Sequence, residues 1–273
     1  MGQTDAPQGA TLAAKPRSHL RARGGEDMKS KVFATCAEAV RDVPDGAVIA
    51  FGGFSAIGSP ANLLQALAEQ GAKNLTCVLN SPRNSPNLPG HAPDIGLLCE
   101  RGQVKKVICA FTAPTRASQT MTFAKYYEQG LVEAELVPQG TLAERLRAAG
   151  AGIPAFYTPT AVGTDLAAGR ETRTFNGRAY LLEHALPVDY AFLRATRADA
   201  FGNLQFTGSQ RNFNPVMATA ARTVIAEVEE AILPRGAMDP NQVHTSGVFV
   251  QRLVRIPPPP EGFWPIPPKR AEP

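Results

Sequence analysis

The stretch Asp45-Gly46-Ala47-Val48-Ile49-Ala50-Phe51-Gly52-Gly53-Phe54-Ser55-Ala56-Ile57-Gly58-Ser59-Pro60 decides how this chain folds. Asp45-Gly46 is a turn pair, and it feeds the short apolar run Val48–Phe51. The run ends in a double glycine, after which Gly58 and Pro60 open an amphipathic stretch from Asn62 to Gln70. This order predicts a strand, a glycine-rich turn and a helix. Glycines let a ligand approach the backbone closely, and a helix start beside them supplies N–H groups that lack intrahelical partners. The expectation is an open α/β enzyme with its site at the carboxyl end of the strand.

The spacing narrows the chemistry. The order GGF-x3-G-x-P is a poor match to the dinucleotide fingerprint G-x-G-x-x-G and excludes a P-loop. That disfavours a nicotinamide-dependent oxidoreductase, which failure to bind NAD would remove. On spacing alone the glycines either admit a ligand or serve tight packing.

Outward from this turn, strands and helices alternate. Leu75–Leu79, Val104–Phe111, Ala134–Val137, Tyr190–Ala195 and Thr223–Val228 read as strands, with helices over Ala143–Ala148 and Pro215–Ala221. The pattern predicts an open, largely parallel sheet flanked by helices. Asn80 to Pro93 is rich in Pro, Asn and Ser and reads as a long loop beside the glycine-rich turn. Residues 1–27 lack apolar periodicity and read as a disordered leader or a mis-assigned start; residues 28–255 read as the folded domain. From Ile256 to Pro273 four consecutive prolines and Trp264-Pro265-Ile266-Pro267-Pro268 predict a Pro-rich tail, either solvated or strapped onto a partner subunit.

At 273 residues with 44% hydrophobic content, the chain is long enough for a well-buried core. A net charge of +4 without basic clusters interleaved with aromatics argues against nucleic acid. No signal peptide and no membrane-length apolar run is evident, so a cytoplasmic location is expected. Cys36, Cys77, Cys99 and Cys109 form no C-x-x-C pair and have no nearby His, so no metal site is expected. Cys77 and Cys109 lie in apolar runs and read as small buried hydrophobes. His184 and His244 are isolated and read as structural.

The full opening string resembles the first signature of the family I coenzyme A transferases: Asp45-Gly46, Ile49-Ala50-Phe51, Gly52-Gly53-Phe54 and Gly58-x-Pro60 fill its positions. Val137-Pro138-Gln139-Gly140-Thr141-Leu142-Ala143-Glu144-Arg145, then Gly150 to Thr160, Arg211-Asn212-Phe213-Asn214-Pro215 and Ile225-Ala226-Glu227-Val228-Glu229-Glu230 are similar to the α (A) subunit of 3-oxoacid and related short-chain transferases. The resemblance runs from about Met28 to about Val254 in the family's order.

The resemblance implies a ping-pong reaction. A glutamate carboxylate attacks an acyl-CoA thioester, an anhydride forms, then an enzyme–CoA thioester, and CoA passes to a second carboxylic acid. The nucleophilic glutamate belongs to the β (B) subunit, in a Ser-Glu-Asn-Gly-type motif absent from these 273 residues. The chain is therefore expected to carry no catalytic nucleophile, and none of Glu144, Glu183, Glu227, Glu229 and Glu230 is assigned that role. It is expected to act only with a β subunit, in an α2β2 or similar assembly, on a CoA thioester as substrate, without a tightly bound cofactor.

By the same resemblance, the turn Gly52, Gly53, Phe54, Ser55, Ala56, Ile57 and Gly58 lines the CoA or acyl pocket through backbone N–H groups. Asn80 and Gln139 face the substrate carboxylate. Ser81-Pro82 stands where many relatives carry a second Asn or an Asp, and Ala113-Pro114-Thr115-Arg116 replaces a Gly-x-Asn-like turn, which bears on the identity of the acid. Arg83 or Arg116 could pair with the second carboxylate of a dicarboxylate, or be a surface charge. Asn214-Pro215 reads as a helix start, with Asn214 as N-cap and Pro215 at the first helical position. The alternative to the transferase reading is a non-catalytic binding or regulatory protein that keeps the α-subunit fold.

Overall fold

The structure, a computed structural model, describes residues 30–82, 93–112 and 121–257. Arg83, His91, Arg116 and Trp264 lie outside the described residues. The chain divides into two units, Met1–Ser30 and Lys31–Pro273, and every element below belongs to the second.

The first half alternates strand and helix: β1 (Val32–Phe33), α1 (Cys36–Val40), β2 (Val48–Phe51), α2 (Ala61–Gln70), β3 (Leu75–Leu79), α3 (Ile95–Glu100), β4 (Val104–Cys109), α4 (Thr122–Glu128), β5 (Glu133–Leu136) and α5 (Gln139–Gly150). An excursion follows, β6 (Ala155–Thr158), β7 (Thr172–Phe175) and β8 (Arg178–His184). The chain then returns through β9 (Val188–Ala195), the short pair β10 (Arg197–Ala198) and β11 (Leu204–Gln205), α6 (Asn214–Ala220), β12 (Ala221–Val228) and β13 (Arg252–Arg255).

Eight of these strands form one sheet in the order β1-β13-β12-β9-β2-β3-β4-β5, and every pairing in it is parallel. The small sheet β6-β8-β7 is antiparallel. Parallel strands covered on both faces tend to be apolar on both, and the buried positions of β9 and β12 are, apart from Glu227 and its largely buried partner Arg194 near their carboxyl ends. Ile49, Cys77, Val107, Phe192 and Ile225 pack on one face against α1 to α3 and Phe123 of α4. Ala50, Val78, Ile108, Leu193 and Val224 pack on the other against Leu142 and Leu146 of α5 and Met217 and Ala218 of α6. The alternation along each strand is the period-two signature of a sheet with two cores.

Cys77 and Cys109 are both fully buried, and burial pushes the thiols of Cys99 and Cys109 up to about 12. They pack as small apolar groups. Ile256, placed by the sequence at the start of the tail, is buried, and its N–H donates to Val228 O.

From β2 the chain steps outward through β3 and β4 to β5, then returns to place β9 on the other side of β2. The strand order thus reverses between β2 and β9. The crevice outside the carboxyl ends at such a reversal is where open α/β sheets bind ligands. Among the described residues, no helix is long and apolar enough to cross a membrane.

Candidate functional site

The glycine-rich turn leaves the carboxyl end of β2 at this reversal. Gly52 N–H still donates to Phe192 O of β9, at 2.9 Å. Gly53 then adopts φ of 110° and Ser55 φ of 55°, both left-handed, which costs a residue with a side chain some strain. Phe54 and Ile57 close the turn by exchanging N–H···O bonds of 3.0 and 3.1 Å. The N–H groups of Gly53, Ser55 and Ala56 have no acceptor among the described residues.

Two of the glycines make room for one side chain. A Cβ at Gly52 would lie 2.0 Å from Asn214 Oδ1, and one at Gly58 would lie 2.7 Å from Gln210 O and 2.9 Å from Asn214 Nδ2. Packing therefore accounts for Gly52, while Gly53 and Gly58, at φ of 110° and 73°, are required by backbone angle and close contact together.

The helix start after the turn is not open to a ligand, which corrects the sequence expectation. Glu227, fully buried on β12, places Oε2 2.9 Å from Asn62 N and 3.0 Å from Leu63 N, and Oε1 3.2 Å from Asn62 Nδ2. Ala61 N–H and Leu64 N–H donate to Ser59 O and Pro60 O. All four donors of the α2 start are thereby used, and a carboxylate from the sheet caps a helix whose own Pro60 offers no side-chain cap. Burial pushes the Glu227 carboxyl up to about 7, against the pull of Arg194 and of the Asn62 and Leu63 donors. Arg194 lies 3.6 Å from Glu227 and 2.7 Å from Glu229, and Glu229 also accepts from Gln210 Nε2 at 2.8 Å.

Asn214 is likewise not the N-cap that its sequence setting suggests. Phe213 occupies the cap, Asn214 is the first helical residue and makes no cap bond, and its amide is turned onto the glycine-rich turn. Nδ2 donates to Gly58 O (3.2 Å) and Gln210 O (2.9 Å), and Oδ1 accepts from Arg194 N (3.2 Å).

Asn80 follows β3. It is 2% exposed, its Oδ1 accepts from Gln139 Nε2 at 2.6 Å, and its Nδ2 has no partner among the described residues. A buried amide donor left unmade costs about 1–3 kcal/mol unless something else accepts from it. Gln139 opens α5, held in place by Arg145, which donates to His184 O (2.9 Å) and pairs with Glu135 (2.8 Å). Pro138 supplies no side-chain cap, and the N–H groups of Gln139, Gly140 and Thr141 have no acceptor among the described residues. The open helix start of this site is thus α5, which the apolar pattern of the sequence begins four residues later, at Ala143.

Gly52, Gly53, Ser55, Asn80 and Ser81 line one solvent-open cleft, together with Asp94. Gln139 joins it through Asn80. Phe54 (45% exposed) and Ile57 (38%) project from the turn, and Gly58 faces Asn214 rather than the cleft lining. Asp94 caps α3 by accepting Gly96 N–H at 2.8 Å. His244 accepts Phe206 N–H at Nδ1 and stacks on that ring, a structural arrangement. The described residues contain no cluster of three or more His, Cys, Asp or Glu placed to hold a metal.

A turn with open N–H groups and a buried amide thus share one cleft at the reversal point of the parallel sheet, and Gln139 ties the uncapped start of α5 to that amide. The chain belongs to the coenzyme A transferase family, whose family model matches residues 33–255. It is 42% identical over 231 residues to the α (A) subunit of the 3-oxoadipate CoA-transferase of Pseudomonas putida, covering 84% of this chain and 95% of that one. It is 43% identical over 224 residues to the α (A) subunit of the probable succinyl-CoA:3-ketoacid coenzyme A transferase of Bacillus subtilis, covering 82% and 89%. Among solved structures, the acyl-CoA transferase of E. coli O157:H7 superposes with a TM-score of 0.69 at 24% identity. That match covers 83% of this chain but only 50% of the other.

Proposed function

We propose that this chain is the α subunit of a CoA-transferase that moves CoA between an acyl-CoA and a short-chain 3-oxoacid or related carboxylic acid. The nucleophilic glutamate comes from a separate β subunit, in an α2β2 or similar assembly, and no tightly bound cofactor takes part. The observation that carries this reading is Asn80: a buried amide whose Nδ2 is unpartnered, fixed by Gln139 beside the uncapped start of α5.

A carboxylate is a weak nucleophile in water, so its attack on a thioester requires a dry site and N–H donors aimed at the oxygen where charge develops. The turn supplies such donors at Gly53, Ser55 and Ala56. Asn80 Nδ2 and the N–H groups of Gln139, Gly140 and Thr141 suit a carboxylate, which the helix dipole favours at that end. Amide donors orient an acid without a fixed cationic partner, so acid and acyl oxygens can succeed one another in the same place.

The two carboxylates nearest the turn and the described cleft are otherwise engaged: Glu227 caps α2, and Asp94, in the cleft lining, caps α3. That supports a nucleophile from outside the chain, as does the naming of its relatives as α (A) subunits.

The test is to co-express the chain with its candidate β subunit, purify the complex and follow CoA esters formed from succinyl-CoA with acetoacetate, 3-oxoadipate and acetate. Transfer by the complex and none by either chain alone is expected, and the preferred acid identifies the substrate. A complex that transfers CoA to none of these acids would contradict the assignment, and so would full activity of this chain alone.

A further inference from the structure

We propose that Asn212 and Asn214 are positioning residues for the glycine-rich turn: they bind its carbonyl oxygens and so hold its open N–H groups in place for the reacting acyl oxygen. The proposal rests on the transferase reading above but adds residues that neither touch substrate nor line the cleft.

The geometry is a two-point clamp. Asn212 Nδ2 donates to Ile57 O at 2.9 Å and to Ser209 O at 2.8 Å. Asn214 Nδ2 holds the next carbonyl, Gly58 O, at 3.2 Å. Asn214 is fully buried and its amide is saturated: Gly58 O, Gln210 O and, at 3.4 Å, Asn212 Oδ1 accept from Nδ2, and Arg194 N–H donates to Oδ1. Its Oδ1 occupies the space beside Gly52 where a Cβ would stand, so the turn is gripped at both ends, at Gly52 and at Ile57-Gly58. The backbone between needs such a grip, because Ser55 is a non-glycine residue held at φ of 55°. Such a conformation persists only where the surroundings over-determine it. An N–H donor aimed at a developing oxyanion works because it is fixed beforehand, so loosening the clamp should lower kcat more than it raises KM.

A packing role alone would make a different prediction, and space-swapping separates the two. In the two-subunit complex, Asn212→Ala removes the half-exposed arm of the clamp without opening the core. Expected are a kcat reduced about tenfold or more, a KM for acyl-CoA within about twofold of wild type, and an unchanged unfolding temperature. Gly52→Ala alone should destabilise, because its Cβ collides with Asn214. Gly52→Ala combined with Asn214→Ala relieves that collision but leaves Gly58 O, Gln210 O and Arg194 N–H without the Asn214 amide, and should not recover kcat.

Recovery of wild-type kcat in the double variant would overturn the proposal, as would an unchanged kcat in Asn212→Ala. Hydrogen exchange gives a readout independent of turnover. The bonded amides of Phe54, Ile57 and Ser59 should exchange about tenfold faster or more in the Asn212→Ala complex, while those of β2 and α2 do not change. If the wild-type complex transfers no CoA, the transferase reading fails, whereas the clamp stands or falls on exchange alone: unaltered protection of the turn would refute it.

Discussion

Glu227 Oε2 accepts the backbone N–H of Asn62 at 2.9 Å, so a carboxylate buried in the parallel sheet caps the helix that follows the glycine-rich turn. The turn is consequently anchored downstream by β12 and upstream by the β2–β9 pairing.

This bond has a pH signature. The folded carboxyl titrates near 7 and the unfolded one near its ordinary 4.5, because burial disfavours the charge. Between these values the folded state binds the extra proton, so the contribution of this group is greatest below pH 4.5, falls as pH rises to about 7, and is level above. A Glu227→Gln variant is neutral throughout. The unfolding free energy of the wild type minus that of the variant should therefore decline between about pH 5 and 7, by on the order of 1–3 kcal/mol. Urea titrations at several pH values measure it, and a difference that does not change with pH would contradict it.

Asn80 should trade stability for function. Among the described residues its Nδ2 is buried without a partner, and its one side-chain bond goes to Gln139, an exposed residue that water can satisfy. Asn80→Leu removes the unmade donor, so unfolding free energy should be unchanged or up to about 1 kcal/mol higher. In the complex kcat/KM should fall about tenfold to a hundredfold, equivalent to about 1.4–2.8 kcal/mol of lost transition-state binding. Full activity with reduced stability would make Asn80 a structural residue.

Two glycines of α5 should respond in opposite ways to alanine. A Cβ at Gly150 would stand 2.7 Å from Thr219 O on α6, so Gly150→Ala should destabilise by about 1–3 kcal/mol through overpacking. A Cβ at Gly140 would meet nothing within 4 Å, so Gly140→Ala should stabilise the helix by about 0.5–1 kcal/mol. If an acid binds at the α5 start, the added methyl at Gly140 should nonetheless raise the KM for the carboxylic acid. Thermal melts and steady-state kinetics of the two variants decide this.

The strands that build the site were legible because they are apolar runs closed by turn residues. Val48–Phe51 and Leu75–Leu79 stand in the structure with the bounds read from the sequence. The start of α5 was not, since Gln139-Gly140-Thr141 carries no apolar periodicity and its helical state follows from Pro138 and the docking of Arg145. Strand β7 is hidden in the sequence because Thr172–Phe175 is exposed along its whole length, so no alternation marks it.

At the site, the resemblance named Asn80 and Gln139, and the structure brings the two into contact. It gave no hint that Asn214 turns away from its helix cap, because Asn before Pro is equally a capping signal. Glu227 did carry a signal, a lone charge inside the apolar run Val224–Val228, but its partner lies 165 residues away, beyond any local pattern.

The central claim is that this chain shapes the site while another subunit supplies the nucleophile. Intact-mass measurement of the two-subunit complex after brief exposure to an acyl-CoA tests it most directly. The account predicts a mass increase corresponding to covalently held CoA on the β subunit, released by the carboxylic acid substrate, and this chain at its unmodified mass. A CoA adduct on this chain would contradict it.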